Sequence, residues 1–203
     1  TLAGIEADPG WHHFPYSIMA SSVLYAKKNP ANKQYRNPEM LALSLRIGDL
    51  LASENEKGKF ADRPGANWDT YMWLEAYRLL EKELGEERRQ RWKREIIGLL
   101  SPYEVYCIAL ANTARYNVPF LNTSPNHFSI YASELFLAGR VFGIDRWEKI
   151  GADIMHRYAA EEISPDGFWG EHNHLLPTPG YNYLTVSSVA LYWEHSKDPA
   201  ALE

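Results

Sequence analysis

Three polar side chains suited to joint catalysis lie at two similar helix starts in this sequence. Asn126 and His127 follow Ser124-Pro125, and Tyr181 follows Thr178-Pro179 after one glycine. A serine or threonine before a proline is typical of an N-cap followed by the first helical residue. The sequence therefore predicts that Asn126, His127 and Tyr181 lie on the first turns of two helices.

The two helix starts are 54 positions apart, which leaves room for one intervening helix, predicted over residues 145–163. Elements two apart in an antiparallel helical array run in the same direction, so both starts belong at the same end of the fold. Helical side chains tilt toward the helix N-terminus. The amide, the imidazole and the phenol are therefore expected to point into one opening.

These three groups suit proton abstraction beside a carboxylate, as at C5 of a uronic acid. Removing that proton builds negative charge on the carboxylate, so the reaction needs donors for the carboxylate and a base. Asn126 and a protonated His127 are the candidate donors, aided by the helix macrodipole. Tyr181 is the candidate base and then the acid toward the leaving oxygen. A free tyrosine has a pKa of about 10, so this role requires neighbouring positive charge.

The composition is that of a globular chain of 203 residues, 45% hydrophobic and 23% charged. The formal net charge of −5 provides no basic surface for nucleic acid, and no apolar run reaches the roughly 18 residues of a membrane span. The single cysteine, Cys107, excludes an internal disulfide and is interpreted as a packing residue. No cofactor and no metal are predicted.

Helical periodicity runs through nearly every segment, and no strong strand pattern appears. Short turns at Gly85 and Gly143 indicate antiparallel helical hairpins. The predicted fold class is all-α, an (α/α) toroid that is incomplete in this chain, with a solenoid or a plain bundle as alternatives. Residues 1–203 are treated as a single domain. The predicted helices are 15–29, 38–56, 67–84, 86–100, 102–116, 125–142, 145–163 and 179–195, and residues 86–116 are alternatively one long helix broken at Pro102.

The longest connection, residues 164–178, leads into the helix that carries Tyr181. It opens with a Pro-Asp-Gly turn signal, and long loops in compact domains are often functional. Trp169 is predicted to stack on a sugar or else to close the helical core. Alternate positions of an extended segment point the same way. His172 and His174 are therefore predicted to point the same way and to bind substrate, and Glu171 is also assigned to substrate binding. A metal site with Glu171 or Asp166 nearby and a solvated loop are the alternatives.

Two further residues are assigned to substrate binding. Tyr183 lies about 200° around the helix from Tyr181, so it faces away from the opening if Tyr181 faces into it, and it is the alternative catalytic tyrosine. Arg36 lies in the loop before the helix at Pro38. If residues 86–116 form two helices, that loop falls at the Asn126 end and Arg36 can bind an acidic sugar. If they form one helix, Arg36 leaves that end, and Asn67 and Trp68 join it.

Asn126-His127 at a helix start, with a tyrosine about 55 residues later after a Pro-Asp-Gly turn, resembles the heparinase II/III and alginate lyase group of polysaccharide lyases. The resemblance covers residues 120–195. The helix motif of that family reads Asn-Asn-His-Gly, where this chain has Pro125-Asn126-His127-Phe128. Its tyrosine segment is similar to Thr178-Pro179-Gly180-Tyr181.

The resemblance implies an (α/α) toroid followed by a β-sandwich domain, and β-elimination in an acidic polysaccharide. It assigns catalysis to Asn126, His127 and Tyr181. The expected partner is an acidic polysaccharide or oligosaccharide, without nucleic acid or membrane, and the expected location is secreted or periplasmic. Asp198-Pro199 reads as a helix start just before the last residue, so a further C-terminal domain is expected.

Two other functions stay open. A glycoside hydrolase on the same toroid needs two carboxylates across a cleft, for which Asp69, Asp166 and Glu171 are candidates. A helical module that binds carbohydrate or acts as a scaffold needs no convergence of Asn126, His127 and Tyr181.

Overall fold

The computed structural model of this chain describes residues 14–58, 68–111, 125–171 and 174–202. Within these ranges the chain is helical apart from turns, a 3₁₀ helix at Pro199–Ala201 and one short hairpin, so the predicted all-α class is confirmed. In that hairpin β1, Gly170–Glu171, pairs antiparallel with β2, His174–Pro177. The helices are α1 Phe14–Ala26, α2 Pro38–Glu56, α3 Trp68–Leu80, α4 Glu86–Ala111, α5 Pro125–Phe142, α6 Asp145–Ala160 and α7 Pro179–Ser196.

The prolines mark the helix starts as the sequence predicted. Asn37 precedes Pro38, and its side chain accepts a hydrogen bond from the N–H of Glu39 at 2.9 Å. α5 begins at Pro125 and α7 at Pro179. The helix start predicted at Asp198 is present as a 3₁₀ turn, where the carboxylate accepts from the N–H of Ala200 at 3.1 Å. The side chains of Asn37 and Asp198 satisfy backbone donors locally, whereas Thr178 makes no side-chain cap bond at the start of α7.

α4 is one helix over residues 86–111, so the prediction of separate helices over 86–100 and 102–116 is wrong, and the alternative of one long helix is confirmed. A proline inside a helix costs roughly 3 kcal/mol. Burying a large apolar side chain contributes about 1.5–3 kcal/mol. The buried stripe continues in phase on both sides of Pro102, so its burial outweighs that cost. The stripe consists of Ile96, Leu100, Tyr103, Cys107 and Leu110.

Residues 1–99 and 100–203 form two compact units, and the boundary lies within α4. In the first unit, α1 packs against α2 and α3. The hydroxyls of Ser21 and Ser44 lie 2.7 Å apart between α1 and α2. The indoles of Trp73 and Trp92 meet edge to face, with ring centroids 6.0 Å apart. Trp92 also covers Gly48, where a side chain would overlap its ring.

In the second unit, α5 and α6 run antiparallel at close range. A Cβ at Gly151 of α6 would lie 2.4 Å from the carbonyl oxygen of Ala132 and 2.5 Å from the backbone nitrogen of Phe136. A Cβ at Gly139 of α5 would lie 2.2 Å from the backbone nitrogen of Glu148. The two helices therefore touch backbone to backbone at two glycines, and no larger residue fits at either position without moving a helix.

Cys107 is fully buried on the α4 stripe, in agreement with its predicted packing role. Burial, with help from the nearby Glu134 carboxylate, raises the pKa of its thiol to about 12. The thiolate is the nucleophilic form of cysteine. Cys107 is therefore inert toward thiol reagents in the folded protein.

A hydrogen-bonded cluster fixes the turn that follows α7. The Asp198 carboxylate lies 2.7 Å from Nδ1 of His156 and accepts a hydrogen bond from the Tyr192 hydroxyl at 2.8 Å. Burial by itself raises the pKa of Asp198, but the hydrogen bonds from His156 and Tyr192 outweigh it and hold the pKa below the ordinary 3.8.

We expect the Gly151→Ala substitution to lower the free energy of unfolding by about 1–3 kcal/mol, because the added methyl group overpacks the contact between α5 and α6. Gly98→Ala is the matched control: its Cβ meets nothing within 4 Å, so better helix propensity raises the free energy of unfolding by about 0.5–1 kcal/mol. Urea denaturation measures both. Equal stability of the two variants would contradict the close packing.

We expect Asp198 to contribute stability that depends on acid pH. A carboxyl whose pKa is lower in the folded state stabilises folding above its unfolded pKa, and this contribution is lost as the pH falls through the folded pKa. The difference in unfolding free energy between the wild type and Asp198→Asn should therefore be complete at about pH 5 and shrink below the ordinary 3.8. Chemical denaturation at several pH values measures it. A difference that does not change with pH would argue against the cluster.

Candidate functional site

The two helices that carry the predicted catalytic residues pack in parallel. Phe136 of α5 and Tyr192 of α7 meet edge to face, with ring centroids 5.0 Å apart. One turn further along both helices, the Arg140 guanidinium donates a hydrogen bond to the carbonyl of His195, 55 residues later in the chain. Because both contacts advance in the same direction, the first turns of α5 and α7 lie at the same end of the second unit, as predicted.

The register of these contacts pairs the residues nearer the helix starts. Both helices rise 1.5 Å per residue, and one face recurs every three or four residues. Counting back turn by turn from Phe136 and Tyr192 therefore pairs one residue of α5 with one residue of α7 about 55 positions later in the chain. Each such pair is one layer. These layers are Ser133 with Ser188, Ser129 with Thr185, and Asn126 with Tyr181.

We define the hydroxyl seam as Ser129, Ser133, Thr185 and Ser188, which the register assigns to the first two of these layers and which are all buried. Each serine donates to a carbonyl of its own helix, as Ser133 does to Ile130 at 3.0 Å. The Thr185 hydroxyl is fully buried and has no hydrogen-bond partner among the residues the structure describes.

We call the predicted site of Asn126, His127 and Tyr181, at the start of α5 and α7, the mouth. Asn126 is 1% exposed, and its side-chain oxygen accepts from the backbone N–H of His127 at 2.9 Å. The Asn126 side-chain oxygen is therefore engaged in a local bond on the first turn of α5. It supports the backbone of His127, whose side chain is partly exposed.

An aromatic cluster lies beneath His127. The imidazole is tilted over the Tyr131 ring, with ring centroids 6.3 Å apart. Tyr103 of α4 also stacks on the Tyr131 ring, with centroids 4.2 Å apart. Burial, followed by the charge of Glu134, raises the pKa of Tyr131 to about 12. Tyr131 therefore stays protonated and supports His127 as a packing residue, a role that the sequence analysis missed.

Tyr181 and Tyr183 lie on different sides of α7, as the helical angle predicted. Tyr181 is on the first turn, its backbone N–H donates to the carbonyl of Thr178 at 3.0 Å, and it is 39% exposed. Tyr183 is 68% exposed. Only Tyr181 shares the face of Tyr192 that packs on α5, so of the two phenols it is the one in the same layer as Asn126.

Trp169 is 4% exposed, and its indole N–H donates to the carbonyl of Tyr158 in α6 at 3.0 Å. This is the core-closing role that the sequence left open, and a sugar has no exposed indole face to stack on. The Trp169 backbone is held by a residue that the sequence analysis missed. The N–H of Trp169 donates to the side-chain oxygen of Asn182 at 2.8 Å, and the Asn182 amide donates to the carbonyl of Trp169 at 2.9 Å.

The remaining predicted loop ligands belong to the short hairpin. Glu171 ends β1 and His174 begins β2, and these two residues are paired across the ladder. His172 lies outside the described residues. Within the described ranges, no three metal-ligating side chains come together. Asp166, a candidate carboxylate for a hydrolase, is exposed in the turn before β1, and the side chain of Asp69 lies outside the described ones.

Arg36 lies in the first unit and is held there. Its guanidinium donates to the hydroxyl of Tyr25 at 3.0 Å and also pairs with Glu83. Hydrogen bonds to Tyr25, Tyr35 and Glu83 raise its pKa above the ordinary value. The prediction that Arg36 binds an acidic sugar assumed two helices over residues 86–116, and α4 is one helix. Asn67, the residue expected in its place, lies outside the described residues.

A cavity of about 340 Å³ lies in the first unit, beside the turn between α3 and α4. Both arginines that line it already have carboxylate partners: Arg88 binds the carboxylate of Asp49 through two nitrogens, and Arg91 binds Glu56. In each pair the two charges neutralise one another.

Comparison with protein-family models, with curated proteins and with solved structures found no match to this chain. None of the helices described in the structure combines the length and the apolar character needed to cross a bilayer.

We expect a short bifunctional thiol reagent to cross-link cysteines placed at residues 127 and 181, because the register puts these positions at the same end of α5 and α7. The double variant His127→Cys with Tyr183→Cys is the matched control, since residue 183 lies about 200° around α7 from residue 181. Cys107 is buried and does not compete. Electrophoretic mobility after proteolysis measures the cross-link. Equal yields for the two pairs would contradict the register.

Proposed function

We propose that the second unit carries the active-site mouth of a polysaccharide lyase that cleaves a uronate-containing polymer by β-elimination. One observation carries the proposal: the parallel register of α5 and α7, which supports the placement of Asn126, His127 and Tyr181 around one opening. The similarity of these residues to the motifs of the heparinase II/III and alginate lyase group adds to it.

The electrostatics of the mouth suit an anionic substrate. The first turns of α5 and α7 contain no acidic residue, and the N-terminal end of a helix carries the positive end of its macrodipole. Two parallel helices therefore present two positive ends on the same side. Backbone N–H groups at such ends bind carboxylates readily. A uronate carboxylate is the group that this arrangement can hold.

The residues of the mouth divide the reaction between them. His127 in its protonated form donates to the carboxylate and so stabilises the charge that develops there, while the buried Asn126 supports the His127 backbone. The ionised Tyr181 takes the C5 proton, the electron pair forms the C4–C5 double bond, and the bond from C4 to the glycosidic oxygen breaks. Tyr181 then returns its proton to that oxygen. No water is consumed, and one product carries the unsaturated uronate.

We extend the proposal to the domain architecture and to the cellular location of the protein. Antiparallel helical hairpins suit an (α/α) toroid, to which a β-sandwich domain is added in the family that this chain resembles. An extracellular or periplasmic location follows from a polymeric substrate that lies outside the cell.

We expect the natural full-length protein to raise the near-ultraviolet absorbance of one acidic polysaccharide in a panel of alginate, heparin-like and chondroitin-like polymers. Tyr181→Phe should lower the rate by roughly 10²- to 10⁴-fold, the usual contribution of a general base or acid. Tyr16→Phe, at an exposed tyrosine of α1, is the control that should keep the wild-type rate, and Tyr183→Phe tests the alternative base.

Two results would contradict the proposal. New reducing ends without a rise in absorbance would identify a glycoside hydrolase and direct attention to Asp69, Asp166 and Glu171. Neither signal with any polymer would favour a module that binds carbohydrate without cleaving it. A loss of activity in Tyr183→Phe instead of Tyr181→Phe would reassign the base.

A further inference from the structure

The Asn182 side chain joins the start of α7 to the loop before the hairpin. Its oxygen accepts from the N–H of Trp169 at 2.8 Å, and its nitrogen donates to the carbonyl of Trp169 at 2.9 Å. The same nitrogen lies 3.3 Å from the carbonyl of Thr178. An amide side chain that bonds both the backbone N–H and the carbonyl of one residue makes the two hydrogen bonds that a paired β-strand would otherwise make. We call this pair of bonds the loop clamp.

The loop clamp is one of several fixed points along this connection. Before it, the N–H of Ser164 donates to the carbonyl of Phe168 at 2.8 Å and closes the turn. At Trp169 itself, the buried indole binds the carbonyl of Tyr158 at 3.0 Å. Directly after it, Gly170 pairs with Pro177 in the hairpin. Trp169 therefore connects the end of α6 to the start of α7. Its contact with α6 is made by the indole, and its contact with α7 is made by Asn182.

The position of Asn182 gives the clamp a functional meaning. Asn182 directly follows Tyr181 on the first turn of α7, so its side chain leaves the helix about 100° from that of Tyr181. One residue points toward the face that packs on α5, and its neighbour holds the loop. A movement of the hairpin is thereby coupled to the turn that presents Tyr181.

We propose that Asn182 is a positioning residue for the mouth: through the loop clamp it holds the Trp169 backbone, at the start of the hairpin, against the first turn of α7 that carries Tyr181. This inference rests on the proposed function, since it takes Tyr181 as the base. Asn182 does not touch the reacting atoms. It fixes the turn that presents Tyr181 relative to the loop before the hairpin.

The two polar groups of Trp169 explain why the clamp requires an amide. In Asn182→Ala both lose their partner, next to a buried indole where a lost hydrogen bond is costly. In Asn182→Asp the acceptor for the Trp169 N–H remains, but a carboxylate oxygen replaces the donor and faces the carbonyl of Trp169. Ser187→Ala is the matched control on the same helix, since the Ser187 hydroxyl donates only to the carbonyl of Tyr183, at 2.8 Å.

Amide hydrogen exchange of the natural full-length protein tests the clamp without any substrate. Asn182→Ala and Asn182→Asp should speed exchange of the Trp169 amide by roughly tenfold or more, the loss expected for a hydrogen bond of about 1.4 kcal/mol. Amides in the middle of α5 and α6 should keep their rates, and Ser187→Ala should leave Trp169 protected. Unchanged protection of Trp169, or uniform acceleration throughout the second unit, would overturn the proposal.

Kinetics then test whether the clamp positions the mouth. With a polymer that the wild type cleaves, Asn182→Ala should lower kcat/KM by about 10- to 100-fold, the cost of a small misplacement. Its pH profile should keep the wild-type shape, because Tyr181 is unaltered. Full activity despite rapid Trp169 exchange would overturn the positioning role. If the wild type cleaves no polymer, the proposed function fails, and the exchange result alone decides whether the clamp exists.

Discussion

Phe136 of α5 and Tyr192 of α7 meet in the buried layer between two parallel helices, and Arg140 reaches the end of α7 one turn beyond. An α-helix is stiff and rises by a constant 1.5 Å per residue. A contact near one end of two packed helices therefore fixes the level of residues near the other end. The position of Tyr181 relative to Asn126 depends on this register, although neither residue takes part in the contact.

The parallel arrangement requires the chain to return from the end of α5 to the start of α7, and α6 and the loop after it make that return. α6 comes close enough to α5 to touch its backbone because Gly139 and Gly151 have no side chains. Trp169 in that loop is bound to α6 through its indole and to α7 through the Asn182 amide. The mouth is built on rigid elements, which catalytic groups need in order to keep their geometry.

The mouth combines a buried support with partly exposed chemical groups. Asn126 and Tyr131 are buried and hold His127, whereas Tyr181 reaches solvent. The first turns of α5 and α7 contain no acidic residue, so the positive ends of their macrodipoles are not offset locally despite the net charge of −5. The overall charge of the chain therefore says little about the charge that a ligand meets, because a helix dipole acts over only about one turn.

The sequence by itself determined the helices and most of their starts, because a cap and a proline act on backbone groups within one turn. Asn37-Pro38, Pro125 and Thr178-Pro179 are examples. It also predicted that Asn126, His127 and Tyr181 lie at the same end of the fold, because successive antiparallel helices alternate in direction. Only the tertiary structure decided that α4 runs through Pro102, because burial on both sides of the proline exceeds a local cost. Likewise, the burial of Trp169 and the clamp by Asn182 arise from contacts between segments that no local pattern encodes.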